Sequence, residues 1–541
     1  MATFFPHETS TAIAPTSRTI LSVYRHAFSQ KVAEGSLRPL VLPYHIIGLL
    51  ALIAYHCIPH RKNPVIYAAR WPLLIFVNWF QGQILWNVSS SSFATGYMAG
   101  MISAWIIVQS WTWLIFMRPQ WDAKRVQRVK IDRSKIPSSE DSNTNQSYNE
   151  KSELRQRKTS GGQALVREES QQPRNCNGKN EKYRYYWQPY PDNLSERIPW
   201  VVDLILNFRG PGWNWAISPL PSLPPKVLAK LGDPIPTEAH SNMSPTGLKR
   251  FNTRRELLRS RGTRFFLSYF LLDGLKVLMM KDPYYKFGPT SYELPWYLKS
   301  LSPFTLNMYR KCLSSGTIIA SLTVTFYLAP VVMSLLCGPK IFGLRAKSWY
   351  YPSAWGGFFN IYHKGLNGTW GNYWHQMFRL SFTAPSNYLT QNGYVRARSP
   401  MAMILALVFA FGISGFLHSA GSVTIFIQSR PLDLMVFFIL QGLGIVVQGV
   451  LYALFRSYLT KLPKSVRYTG NFFYSMTCLF STGQFLADDF ARGGLWLWEP
   501  IPFSPLRGLG LGESDAGWWC WEHIGIGWYT GKYWWESGIA L

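Results

Sequence analysis

SWYYPSAWGGFFNIYHKGLNGTWGNYWHQMFR at residues 348–379 and MAMILALVFAFGISGFLHSAGS at 401–422 decide how this chain is read. The first stretch is aromatic and broken by glycines. The second is apolar over a length that matches the hydrocarbon core of a bilayer. His375 stands near the end of the first, and His418 lies inside the second among Gly412, Ser414, Gly415, Ser419 and Gly421. Placing an imidazole within some 20 hydrocarbon-compatible residues costs free energy, so it needs a partner or a task. The small neighbours let another helix or a ligand reach the backbone closely. A neutral imidazole there can accept a proton from an alcohol near working pH. A structural histidine bonded to a neighbouring helix is the alternative.

In GTWGNYWHQMFR, helical spacing groups Trp374, Met377 and Phe378 and puts His375 and Arg379 on another strip. This predicts an interfacial helix with its rings in lipid and its imidazole and guanidinium towards a cavity. The alternative is an aromatic anchor at the interface.

Working outward, apolar residues gather into windows at 41–58, 65–80, 97–117, 265–280, 316–338, 401–420, 432–455 and 470–486. Lengths of roughly 17–24 residues suit membrane spans. The expected fold class is therefore all-α, a polytopic transmembrane helical bundle of about eight to nine spans. A mean hydropathy of -0.03 hides this because long polar stretches dilute the windows. Aromatic content of 16%, with 24 Trp, fits rings placed at membrane interfaces.

The net charge of +27 does not point to nucleic acid, because the basic residues flank apolar runs and form no docking motif. They collect after the first, third, fifth and seventh windows and before the fourth and sixth, as cytosolic loops do. The six cysteines show no CxxC or Cys/His spacing, so no metal site is expected. Asp273 and Lys276, three apart in the fourth window, can pair and read as structural glue. The adjacent Asp488 and Asp489 read as solvated.

Organisation follows the same composition. Residues 1–40 form an N-terminal segment, 41–117 the first three spans, and 118–182 a disordered basic cytosolic loop. Residues 183–486 hold the domain with both histidines, and 487–541 an aromatic tail.

These residues resemble the membrane-bound O-acyltransferases, specifically the wax-synthase-like branch with its fungal terpenoid and meroterpenoid O-acetyltransferases. Branch members are similar in carrying Trp-Gly-x-x-Trp ending in Asn or His, then Ser-Gly-x-x-His on a transmembrane helix. Here these are WGNYWH at 370–375 and SGFLH at 414–418. NFRGPGWNW at 207–215 and RGTRFFLSYFLLDGL at 261–275 look like the entry segments of fungal members. The chain departs from plant-type members, which have Asn at the position of His375.

The resemblance implies acyl transfer from acyl-CoA, in particular acetyl-CoA, to the hydroxyl of a lipophilic alcohol, with no bound cofactor. It implies a multi-pass protein of the endoplasmic reticulum working in secondary-metabolite biosynthesis. His418 would be the general base. His375, with Asn372 or an indole N–H of Trp370 or Trp374, would stabilise the oxyanion. Arg379, Arg396 and Arg398 are the candidates for the CoA phosphates. Long-chain wax-ester or sterol-ester synthesis is the alternative enzyme reading. A multispanning transporter is the alternative of another class, though no internal repeat is visible.

Overall fold

Ser399 starts the helix that carries His418, its hydroxyl accepting the Ala402 N–H at 3.1 Å, with Pro400 in the first helical position. The computed structural model describes residues 15–130, 183–289, 293–336, 343–427, 429–521 and 526–541. Most of the expected basic loop, with Cys176, and also Cys337 lie outside the described residues. The helices that position the site are α1 (Phe93–Trp111), α2 (Arg254–Met280), α3 (Pro303–Leu336) and α4 (Phe359–Gly368). They are followed by α5 (Arg379–Gln391), α6 (Pro400–Val423), α7 (Pro431–Leu454) and α8 (Lys464–Arg492).

Four helices are long and apolar enough to cross a membrane: Phe93–Phe116, Pro303–Met333, Pro400–Val423 and Pro431–Leu454. They correspond to the third, fifth, sixth and seventh windows. The expected count of about eight to nine is not confirmed: four helices among the described residues have the length and composition of a span. The first window is interrupted: Val41–Leu42 pairs as a strand with Gly538–Ala540, leaving a short apolar helix over Tyr44–Cys57. The second is split between Pro64–Ala68 and Arg70–Asn87 and includes the polar Arg70 and Asn78. The fourth and eighth are parts of α2 and α8, whose other turns are rich in charge.

α6 lies between α1 and α7, and small residues set the spacing. A Cβ on Gly100 of α1 would sit 2.5 Å from the Ala420 carbonyl carbon, so the two backbones touch. The Thr424 hydroxyl, just beyond α6, donates to the Gly96 carbonyl at 2.7 Å and accepts the Gly100 N–H at 3.1 Å. On the other side, Gly415 faces Met435 and Gly442 faces Phe411. The outer faces of α6 and α7 expose Met403, Val408, Leu443 and Leu454, an apolar surface suited to lipid.

The chain is mostly helical, with a few short strands. One departs from the expected disordered loop: Arg125–Lys130 pairs antiparallel with Tyr183–Gln188. Val126 stands opposite Trp187, and Val129 and Tyr185 add further branched and aromatic side chains that suit a strand pair.

Asp273 and Lys276 are buried in α2 but do not pair with each other. Asp273 accepts the Ser504 hydroxyl and the Leu506 N–H, the latter at 3.0 Å. Lys276 donates to the Trp496 carbonyl and meets Glu499 at 3.6 Å, and Glu499 also holds Arg507. Their role is structural, and what they hold is the segment after α8. Asp489 is likewise corrected from solvated to buried, at 1% exposure.

Candidate active site

The helical strip expected around His375 does not form. α4 ends at Gly368, and Thr369–Tyr373 widens into a π-helical turn closed by Trp374 N–H to the Thr369 carbonyl at 2.7 Å. Residues 374–378 then leave the helix before α5 begins at Arg379. The cause is Gln376. Its amide donates to the carbonyls of Trp370 at 3.0 Å and Trp374 at 2.7 Å, taking acceptors that a continuing helix would use. Single π turns of this kind recur at functional sites.

The entry to this turn is equally constrained. Gly365 has φ +60°, and a Cβ there would meet the Gln448 amide carbon at 2.9 Å. Gln448 of α7 accepts the Leu366 N–H at 3.0 Å, so α7 bends α4 at that point. Gly356 lets a second strand of chain approach, donating its N–H to the Tyr373 carbonyl at 3.0 Å. Asn372 packs its carbonyl against Gly356.

Released from helix, His375 enters a ring cluster. Its imidazole lies 5.2 Å from Phe326 of α3, 5.4 Å from Trp374, 6.1 Å from Trp355 and 6.2 Å from Phe378, centroid to centroid. Nδ1 is buried and has no hydrogen-bond partner among the described residues. Burial, reinforced by His418 and Arg209, pushes the ring down to about 3, so it is neutral at ordinary pH.

His418 faces inward. Its Nδ1 is 2.9 Å from the Tyr97 hydroxyl of α1, and Phe438 of α7 stacks on the ring at 4.9 Å and 18°. Phe438 also touches Trp370, at 6.0 Å, and Trp370 touches Trp374 at 5.4 Å. An unbroken series of rings thus joins one histidine to the other. Trp370 is held by its indole N–H, which donates to Gln441 at 2.9 Å, and Gln441 donates to Thr482 at 2.6 Å.

The structure brings His375, His418, Trp370 and Trp374 together, with Asn372 on the same turn. Arg379 is occupied in closing that turn: it donates to the Gly371 carbonyl at 2.8 Å and to Gln376 at 2.6 Å. Arg396 and Arg398 are exposed on the connection between α5 and α6 and are not drawn into the cluster. Tyr97, Phe438 and Arg209 are the neighbours that sequence reasoning missed. Arg209 anchors NFRGPG to the histidine segment by donating to the carbonyls of Ser353 at 2.7 Å and Pro352 at 2.9 Å. A phenol inside the small-residue run ATGYMAG was the available signal for Tyr97.

Residues 351–440 match the model of the Membrane bound O-acyl transferase family. That segment includes both histidines and their ring series. Over 274 residues the chain is 24% identical to the O-Mevalon transferase macI of Penicillium terrestre, covering 47% of this chain and 53% of that protein. It is 24% identical over 284 residues to the O-Mevalon transferase yanI of Aspergillus niger, with the same shares. Acetyltransferase spyB of Aspergillus fumigatus is 33% identical over 89 residues, 16% of this chain and 15% of that protein. The chain thus spans about half the length of the curated relatives it matches most broadly. No solved structure matches it.

Proposed function

We propose that this protein is a membrane-embedded O-acyltransferase that moves an acyl group, acetyl in the first instance, from acyl-CoA to a hydroxyl of a lipophilic terpenoid or meroterpenoid. The observation that carries the reading is the enclosure of His375 and His418 by one series of aromatic rings beside α6. The relatives named as acetyltransferase and O-mevalon transferase agree with transfer of a short acyl group in secondary metabolism. The endoplasmic reticulum is the compartment that fits a multi-pass enzyme of this kind.

In this reading His418 Nε2 takes the proton of the acceptor alcohol as its oxygen attacks the thioester carbonyl. The carbonyl oxygen gathers negative charge near His375, where a neutral ring N–H or an indole N–H of Trp370 or Trp374 can donate to it. Collapse breaks the C–S bond, and the imidazolium returns its proton to the departing thiolate. Arg396 and Arg398, on the exposed connection before α6, are the candidates for the CoA phosphates.

The test uses microsomes containing the full chain, radiolabelled acetyl-CoA or palmitoyl-CoA, and farnesol, ergosterol and hexadecanol as acceptors. His418→Ala is expected to abolish transfer at unchanged protein abundance, and full activity in that variant overturns the mechanism. His375→Asn is expected to retain part of the rate. An unaltered rate in His375→Ala would reduce His375 to an anchor.

A further inference from the structure

Two segments set apart in the sequence, NFRGPGWNW at 207–215 and RGTRFFLSYFLLDGL at 261–275, supply neither histidine, yet each sends an arginine to one short stretch of backbone. Arg209 donates to the carbonyls of Pro352 at 2.9 Å and Ser353 at 2.7 Å, and Arg261 donates to that of Tyr351 at 3.4 Å. Arg250 is tied to the same stretch through its neighbour. The Lys249 N–H donates to the Ser353 hydroxyl at 2.7 Å, and the Ser353 N–H to the Lys249 carbonyl at 2.9 Å. Three guanidinium side chains thus gather on residues 351–353.

None of the three has a carboxylate partner among the described residues. Arg250, 2% exposed, donates to the Ser222 carbonyl, to the Ala239 carbonyl at 3.1 Å and to Asn242 at 3.2 Å, and its Nε has no partner. Arg261, 1% exposed, lies over the rings of Tyr327 at 4.2 Å and Phe251 at 5.0 Å, with Nε and Nη1 unpartnered. Two carboxylates of this region are committed elsewhere: Asp203 to Arg125 at 3.2 Å and to Arg345, and Glu256 to Lys249 at 2.9 Å. Neutral carbonyls occupy N–H groups but do not cancel a charge, and a buried cation without an anion is costly.

Arg250 also lines a cavity of about 220 Å³, walled by Trp213, Trp349 and Pro352, to which Ser218 and Ser222 add hydroxyl groups. Ser218 is exposed, and the buried Trp213 has its indole N–H unpartnered. A guanidinium, further donors and ring walls together suit a phosphate attached to a flat or apolar body. Arg250 stands four residues before α2, whose first turns carry Arg254, Arg255 and Arg259, so the cavity lies outside the apolar windows. Pro352 is three residues from Trp355, which touches His375 at 6.1 Å, so one wall of the cavity continues into the histidine site.

We propose that this cavity binds a phosphate-bearing ligand, with Arg250 as the cation that meets the phosphate and Arg209 and Arg261 adding positive charge behind its wall. The phosphate belongs either to the nucleotide end of a CoA thioester or to the headgroup of an anionic lipid. Only the first source rests on the function proposed above.

The experiment uses the full chain in phosphatidylcholine nanodiscs, with radiolabelled adenosine 3′,5′-bisphosphate in solution as one probe and labelled phosphatidate in the disc as the other. At least one probe is expected to bind, and Arg250→Gln is expected to weaken it about 10- to 100-fold, as for loss of a charged hydrogen-bond donor. Ser218→Asp sets a carboxylate at the exposed lip, is expected to act the same way, and serves if Arg250→Gln does not fold. Ser218→Asn, of the same size without the charge, is expected to keep binding. Binding of the bisphosphate identifies the nucleotide, and Ser218→Asp should then raise KM for acetyl-CoA by a similar factor with little change in kcat. Binding of phosphatidate alone identifies a lipid site. Binding of neither probe, or binding that survives both Arg250→Gln and Ser218→Asp, overturns the proposal. Bisphosphate binding that responds to both variants while no alcohol is acylated supports the site and removes the acyl-transfer reading instead.

Discussion

Gly100→Ala changes neither histidine and adds one methyl group, yet it should disable the site. The added Cβ would stand 2.5 Å from the carbonyl carbon of Ala420 and 2.5 Å from Thr424 Oγ1. Carbon atoms in contact prefer about 3.5–4.0 Å, so α1 and α6 must part by roughly 1 Å. The obstacle is backbone on the α6 side, so no side chain can swing away to absorb it. Overpacking of this kind costs about 1–3 kcal/mol. Tyr97 lies one turn before Gly100, and His418 two residues before Ala420. The same separation therefore stretches their 2.9 Å bond past the range in which it holds. The measurement is thermal unfolding of the purified protein in detergent alongside acyl transfer in microsomes. Gly412→Ala on α6 is the control, because nothing lies within 4 Å of a Cβ there, and it should be neutral or slightly stabilising. Unchanged melting temperature and full activity in Gly100→Ala would refute the close backbone contact and the coupling of α1 to His418.

The neutral state of His375 has a signature in stability. Its folded pKa of about 3 lies below the ordinary 6.5, so the unfolded chain binds a proton that the folded chain refuses. Its contribution is complete above pH 6.5 and declines as pH falls towards 3, so the melting temperature should drop across that window and drop less steeply in His375→Asn; parallel curves would contradict the burial of the ring. Gln376→Leu removes both donors that hold the Trp370 and Trp374 carbonyls and the acceptor for Arg379, at about 1–3 kcal/mol of stability, and it should cost activity by freeing His375. Wild-type activity in a less stable Gln376→Leu protein would show that the turn is structural only.

The helix carrying His418 was legible in its own residues. The apolar window at 401–420 became Pro400–Val423, and 432–455 became Pro431–Leu454. Each has proline in its first turn and a side chain content that leaves helix as the sole way to satisfy the backbone in lipid. The features that were not legible depend on distant partners. Residues 41–58 read as a span, but Val41 and Leu42 find Ala540 and Ile539 some 500 positions away. Around His375 the pattern is helical until Gln376 takes the carbonyls, and a glutamine at that position looks the same whether it caps or faces solvent. Tyr97 and His418 are 321 residues apart, so nothing local to either announces their bond.

The small residues around His418 show the difference most sharply. Their number suggested a close approach, and the approach exists, but the sequence does not say by what. Gly415 admits the Met435 backbone, Gly421 the Tyr97 ring, and Gly100 the Ala420 carbonyl. Each of these sites is filled by protein, so these glycines set the separation of α1, α6 and α7 and do not line an opening. Among Gly412, Gly415 and Gly421, Gly412 alone has nothing within 4 Å of an added Cβ, and it precedes His418 on α6. A passage for a flat or branched acceptor along α6 would therefore run past Gly412 and Phe411, towards Trp370, and not past Gly421. Gly412→Phe should then exclude bulky terpenoid alcohols while sparing hexadecanol, and equal loss of every acceptor would place the passage elsewhere.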